Sequence, residues 1–118
     1  MDPKDLLRAA AQILDEKKAR DITAIHTTEQ TIIADYFIIA SGTSSTHVKA
    51  LAEDLEYEMK QRHGVRPGGV EGRASGWILL DYGTVLVHIF LTDQREYYNI
   101  ERLWEDADNV ECLMLNAE

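Results

Sequence analysis

One stretch of this chain limits its fold more than any other. Residues 34–40 read Ala-Asp-Tyr-Phe-Ile-Ile-Ala, and the centre of that run is apolar at odd and even positions alike. A strand apolar on both faces needs cover on both, which makes it an inner strand of a sheet. The run breaks at Ser41, Gly42, Thr43, Ser44 and Ser45, a segment that supplies several helix caps. Val48, Leu51, Ala52, Leu55 and Met59 then recur at helical steps, with Glu53, Glu56, Lys60 and Arg62 on other faces. This amphipathic helix spans about five turns and is stopped by Gly64.

The remaining elements arrange themselves around that unit. Asp2-Pro3 reads as an N-cap followed by proline at the first helical position, and Leu6, Leu7, Ala10, Ile13 and Leu14 continue a helix to about Lys17-Lys18. Residues 21–26 form a strand whose apolar residues Ile22 and Ile25 are only partly in phase. Residues 65–72 are glycine-rich and suit a short edge strand, where Pro67 is tolerated. Trp77 to Asp81 and Val85 to Phe90 are strands, with Tyr82-Gly83 as a tight hairpin turn. Thr92-Asp93 caps a final short helix through Tyr97, Tyr98 and Ile100, which Glu101 to Trp104 can extend. The order is helix, strand, strand, helix, three strands, helix. It predicts one α/β domain with a mixed sheet of about five strands packed with helices, over residues 1–106. Residues 107–118 form an acidic C-terminal tail with a brief apolar cluster at Val110, Leu113, Met114 and Leu115.

Composition narrows the setting. No apolar run of about 18 residues occurs, so no membrane span is expected. The first residues lack the basic and apolar regions of a secretory signal and the Arg- and Ser-rich character of a transit peptide, so a cytoplasmic protein is expected. A single cysteine, Cys112, rules out an internal disulfide and fits a reducing compartment. The net charge is −9, from 21 acids against 12 bases, which disfavours broad or sequence-specific binding to nucleic acid. A basic protein surface is the better electrostatic match, although charge alone favours the simpler account that it keeps the protein soluble.

The hairpin sorts its residues onto two faces. With a two-residue turn at Tyr82-Gly83, Leu80 opposes Val85, Ile78 opposes Val87 and Trp77 opposes His88. One face then holds Ile78, Leu80, Val85, Val87 and Ile89 and reads as core. The other holds Trp77, Leu79, Leu86, His88 and Phe90, edged by Asp81. Trp77 sits at the start of its strand beside Gly76, so periodicity leaves two roles open: a buried structural ring, which it favours, or an exposed interface anchor.

Residues suited to catalysis are scarce. The segment Ser41 to Ser45 lies where a strand meets a helix and could present N–H groups to a phosphate. It lacks the spaced glycines of a dinucleotide fingerprint and the Gly-Lys-Ser/Thr of a P-loop, and reads first as a capped turn. Asp81 is the one acid at a strand end after this loop, and the facing strand offers His88 rather than a second carboxylate for a metal pair. His26, His47, His63 and His88 have no zinc spacing among them, and Cys112 beside Glu111 is not activated as a thiolate. No catalytic residue, metal or cofactor is assigned.

Five segments in order carry a resemblance: ADYFIIASGTSSTHVKALA at 34–52, EG at 71–72, GWILLDYG at 76–83, VLVHIF at 85–90 and REYYNIERLW at 95–104. Together they resemble the ribosomal silencing factor family, RsfS, also called the Iojap family, over roughly residues 5–106. The resemblance implies an α/β fold similar to nucleotidyltransferases, with the loop at Ser41 to Ser45 kept and the carboxylate pair missing. It also implies a translation repressor rather than an enzyme. Such a factor binds the large ribosomal subunit through ribosomal protein uL14, sterically blocks subunit joining under nutrient limitation, and forms homodimers; organellar relatives act in large-subunit assembly. The residues expected to meet the partner are Trp77, Leu79, Asp81, Tyr82 and His88, with Tyr98 beside them. Three other readings remain: an active nucleotidyltransferase, a large-subunit assembly factor using the same contact, and a homodimeric adaptor whose apolar face serves self-association alone.

Overall fold

The computed structural model describes residues 1–27, 34–72, 76–100, 102 and 113–114. The elements are α1 (Pro3–Glu16), β1 (Arg20–His26), β2 (Tyr36–Gly42), α2 (Ser45–His63), β3 (Gly69–Glu71), β4 (Trp77–Asp81), β5 (Val85–Leu91), α3 (Thr92–Tyr98) and β6 (Leu113–Met114). The sheet runs β3-β4-β5-β2-β1-β6. Strands β2 and β5 are parallel and every other pairing is antiparallel. The run expected to be an inner strand is therefore inner, flanked by β5 and β1. The sheet gains a sixth strand from the tail: Leu113 and Met114 pair with Ala24 and Thr23 of β1.

Both long helices lie on one face. Leu6, Leu7, Ala10, Ile13 and Leu14 of α1 and Val48, Leu51, Leu55 and Met59 of α2 share a core with Ile22, Ile38, Ile78, Leu80, Val87 and Ile89 of the sheet. Each helix presents the stripe that its sequence repeat predicts. Ser44 caps α2, its hydroxyl accepting from the His47 N–H at 3.1 Å, and Gly64 ends it in the left-handed conformation. The His47 ring in turn accepts from the Thr43 N–H at 3.0 Å and lies 3.3 Å from the Lys17 carbonyl, joining the start of α2 to the end of α1.

The hairpin register differs from the expected one by two residues. Trp77 opposes Phe90, Leu79 opposes His88 and Asp81 opposes Leu86. The Tyr82 N–H still bonds Val85 O at 2.9 Å, so the turn is Gly83-Thr84 rather than Tyr82-Gly83. Gly83 takes φ +84°, a conformation glycine adopts freely, and its N–H bonds Asp81 Oδ1 at 2.8 Å. Because side chains alternate with a period of two, this slip leaves both faces with the membership expected of them.

The last helix also differs from expectation. Thr92 is not its cap; it opens α3, and its hydroxyl donates to the Gly42 carbonyl at 3.2 Å. The helix ends at Tyr98 because Asn99 turns left-handed, at φ 44°. The expected extension through Glu101, Leu103 and Trp104 lies outside the described residues, as does Cys112.

Gly42 lets α2 approach the end of β2. A Cβ there would lie 2.8 Å from Val48 Cγ2 and 3.0 Å from the Val48 backbone nitrogen. Gly42→Ala is accordingly expected to cost about 1–3 kcal/mol, by overpacking against backbone that cannot rotate away. Urea unfolding measures this, and an unchanged midpoint would mean that the start of α2 yields.

Candidate functional site

Among the described residues, the second face of the sheet has far less cover than the first. Alternation places Ile25 of β1, Phe37 and Ile39 of β2, Leu79 of β4, and Leu86, His88 and Phe90 of β5 on this side, together with Trp77. Ile25, Ile39 and Phe90 form a small buried cluster, and Phe37, Trp77 and Ile100 pack against it while remaining half-buried. Of the described helices, α3 alone lies here, held at one end of the face. The Arg95 guanidinium fixes it, donating to the Asp21 carbonyl at 2.6 Å, to Ser41 Oγ at 2.9 Å and to Thr23 Oγ1 at 3.2 Å.

Aromatic rings run across the exposed part. Trp77 stacks on Phe90 with centroids 4.8 Å apart and meets Tyr98 at 4.9 Å. Phe37 tilts against His88 at 4.8 Å. Tyr98 is 48% exposed, so the outer edge of the cluster faces solvent. The Trp77 Nε1–H donates to His88 Nδ1 at 3.1 Å. An indole nitrogen can only donate, so Nδ1 is the acceptor and the neutral ring carries its proton on Nε2. His88 is 5% exposed, and its Nε2 has no hydrogen-bond partner.

Five of the six expected contact residues belong to this face. Trp77 and Leu79 are half-buried, Asp81 is exposed at its edge, His88 lies beneath them and Tyr98 stands beside Trp77. Trp77 is neither fully buried nor exposed, since one side of the ring packs on Phe90 and the whole is half-buried. Tyr82 is the exception. The turn starts one residue later than expected, so Tyr82 continues the alternation of β4 and falls on the face of Ile78 and Leu80. It is buried in the helix-side core, and burial together with the Glu56 carboxylate drives its phenol well above the usual range. Phe37 was not singled out from sequence. Its strand is apolar at every central position, and only the parallel register with β5, Phe37 beside Leu86 and Ile39 beside His88, assigns it to this face. Glu71, opposite Leu79 on the edge strand, adds a second exposed carboxylate near Asp81.

The loop after β2 is a turn that caps itself. The N–H groups of Thr43, His47 and Val48 are bonded to His47 Nδ1, Ser44 Oγ and Ser44 O. Of the first-turn donors of α2 that a phosphate could engage, that of His47 is thus already committed.

Comparison with known proteins decides the family. The family model described as "Ribosomal silencing factor during starvation" matches residues 1–118. The chain belongs to the ribosomal silencing factor family. It is 39% identical over 112 residues to the ribosomal silencing factor RsfS of Halalkalibacterium halodurans, covering 94% of this chain and 95% of that one. It is 34% identical over 95 residues to the mouse protein named mitochondrial assembly of ribosomal large subunit protein 1, covering 78% of this chain and 42% of the mouse protein. The crystal structure of a Chromobacterium violaceum protein superposes with a TM-score of 0.84 at 36% identity, covering 88% of this chain and 87% of that one. The silencing-factor match includes the tail, beyond the segments that carry the resemblance in sequence.

Burial in this face holds the His88 imidazole down to about 4, from an ordinary 6.5. The unfolded chain therefore binds the extra proton first as pH falls. The stability conferred by the neutral ring is complete above about 6.5 and is lost as pH drops towards 4. His88 is expected to account for about 3 kcal/mol of destabilisation between pH 7 and 4, at ~1.4 kcal/mol per unit. Urea unfolding of wild type and His88→Leu across that range isolates this part, and parallel pH profiles would show that His88 titrates normally.

Proposed function

We propose that this protein represses translation by occupying the large ribosomal subunit at ribosomal protein uL14, so that the small subunit cannot dock. The observation that carries the reading is the second sheet face: Phe37, Trp77, Leu79 and Tyr98 form an aromatic and apolar patch, with Asp81 and Glu71 at its edge. Aromatic anchors over a packed centre are what protein interfaces use for adhesion. The net charge of −9 steers such a patch towards a basic protein surface and away from bare phosphate. Family membership supports the ribosome as the target. Exclusion by volume needs no turnover, so the protein acts as a binding factor in the cytoplasm, where subunits join.

A role in assembling the large subunit uses the same contact and draws support from the name of the mouse relative. Self-association through the same face would compete with either role, because a second copy would cover the same rings.

The test is sedimentation of purified protein with isolated large and small subunits. Wild type is expected to travel with large subunits and to reduce joined ribosomes. Trp77→Ala is expected to weaken large-subunit binding by about 2 kcal/mol or more, as loss of a central anchor does. Circular dichroism checks that the variant folds. Undiminished binding by a folded Trp77→Ala would move the contact elsewhere, and no binding by wild type would overturn the reading.

A further inference from the structure

Among the described residues of the open face, His88 Nε2 is a buried polar atom left without a partner. Such groups are rare in folded proteins, because burial strips the donor of water and returns nothing. The chain offers no structural reason to keep this one. The bond that orders Trp77 uses Nδ1. Leucine would remove this donor, but it would also leave the Trp77 indole without the Nδ1 acceptor. Local violations of this kind persist where function requires them.

We infer that the Nε2–H of His88 is held ready to donate to an acceptor oxygen, a backbone carbonyl or a side-chain amide or carboxylate, presented by the protein that docks on this face. The inference rests on the proposed function and adds the group through which His88 discriminates between partners. Three features favour it. The Trp77 indole fixes the tautomer, so the proton is on Nε2 and the ring offers a donor there. Nε2 is the ring nitrogen distal to the side-chain stem, and the side chain stands off the sheet on the face opposite α1 and α2. The side chains around it, Phe37, Leu79 and Trp77, are themselves half-buried, so modest movements of exposed groups uncover it. Burial keeps the ring neutral at ordinary pH, so the tautomer persists. The acceptor belongs to a protein rather than a nucleic acid because Asp81 and Glu71 at the edge of the face repel phosphate.

The test uses the full chain, isolated large subunits and three variants, with affinity and thermal midpoint measured for each. His88→Leu is expected to bind about tenfold more weakly or worse, as loss of a buried donor to a paired acceptor does, with its midpoint at pH 7 lowered because the Trp77 indole loses its acceptor. In His88→Gln the amide nitrogen reaches the place of Nε2, and binding is expected to stay within about threefold of wild type. In His88→Asn the amide reaches only the place of Nδ1, and it is expected to bind as weakly as the leucine variant. If His88→Leu fails to fold, the contrast between glutamine and asparagine carries the test. Wild-type affinity in His88→Leu, or rescue by asparagine and not by glutamine, overturns the inference while leaving the ribosomal contact in place. Failure of wild type to bind large subunits overturns the proposed function and this inference with it.

Discussion

Parallel pairing of β2 with β5 is the constraint on which the rest of the molecule depends. Parallel neighbours cannot be joined by a tight turn; the chain must cross over, and here the crossover contains α2, β3 and β4. The amphipathic stripe of α2 then has to lie on the sheet it spans, and α1 packs beside it on the same side. With both long helices committed to one face, the described cover of the other comes from α3, a helix of seven residues. Strands β2 and β5 are nevertheless apolar on that second side, because Ile39 and Phe90 fill it. The fold thus produces a buried strip at the centre and a half-covered rim of rings around it.

Arg95 stabilises this arrangement. Its three hydrogen bonds tie α3 to β1 and β2, on the strained turn where Asp21 takes φ 49° and the ladder between Arg20 and Thr23 slips. Guanidinium is suited to the task because its fork of donors reaches a carbonyl and two hydroxyls at once. Holding α3 there sets Tyr98 against Trp77, and that limits how far the aromatic face opens. A single residue far along the chain from β1 therefore shapes the aromatic face without belonging to it.

Much of this was legible in sequence because it is local. The helical stripe from Val48 to Met59, the alternation from Trp77 to Phe90 and the order of the elements all follow from periods of 3.6 and 2. What could not be read is non-local. Alternation says that Trp77 and Leu79 share a side, but not which side receives the helices. Strand β2 is apolar at every central position, so its parity carries no signal, and Phe37 stayed unassigned until β5 was placed beside it. Tyr82 was misplaced for a different reason. Tyr-Gly resembles a turn, yet glycine needed only one of the two turn positions, and Thr84 took the other. The sixth strand was missed because two residues give no period to read.

The segment at the end of β2 suggests phosphate chemistry from its composition, and its hydrogen bonds give it a structural role as well. A serine- and glycine-containing loop at the start of a helix would bind phosphate if its N–H groups were turned outward and uncommitted. Here Ser44 spends its hydroxyl on the His47 N–H, and His47 returns its ring nitrogen to Thr43. These bonds tie the loop to the start of α2, and its glycine brings α2 against β2. They fix the start of α2, whose packing fills the helix face. On the opposite face the rings of Phe37 and Trp77 stand half-buried, and the contact proposed for them needs only shape, apolar area and hydrogen-bond complementarity.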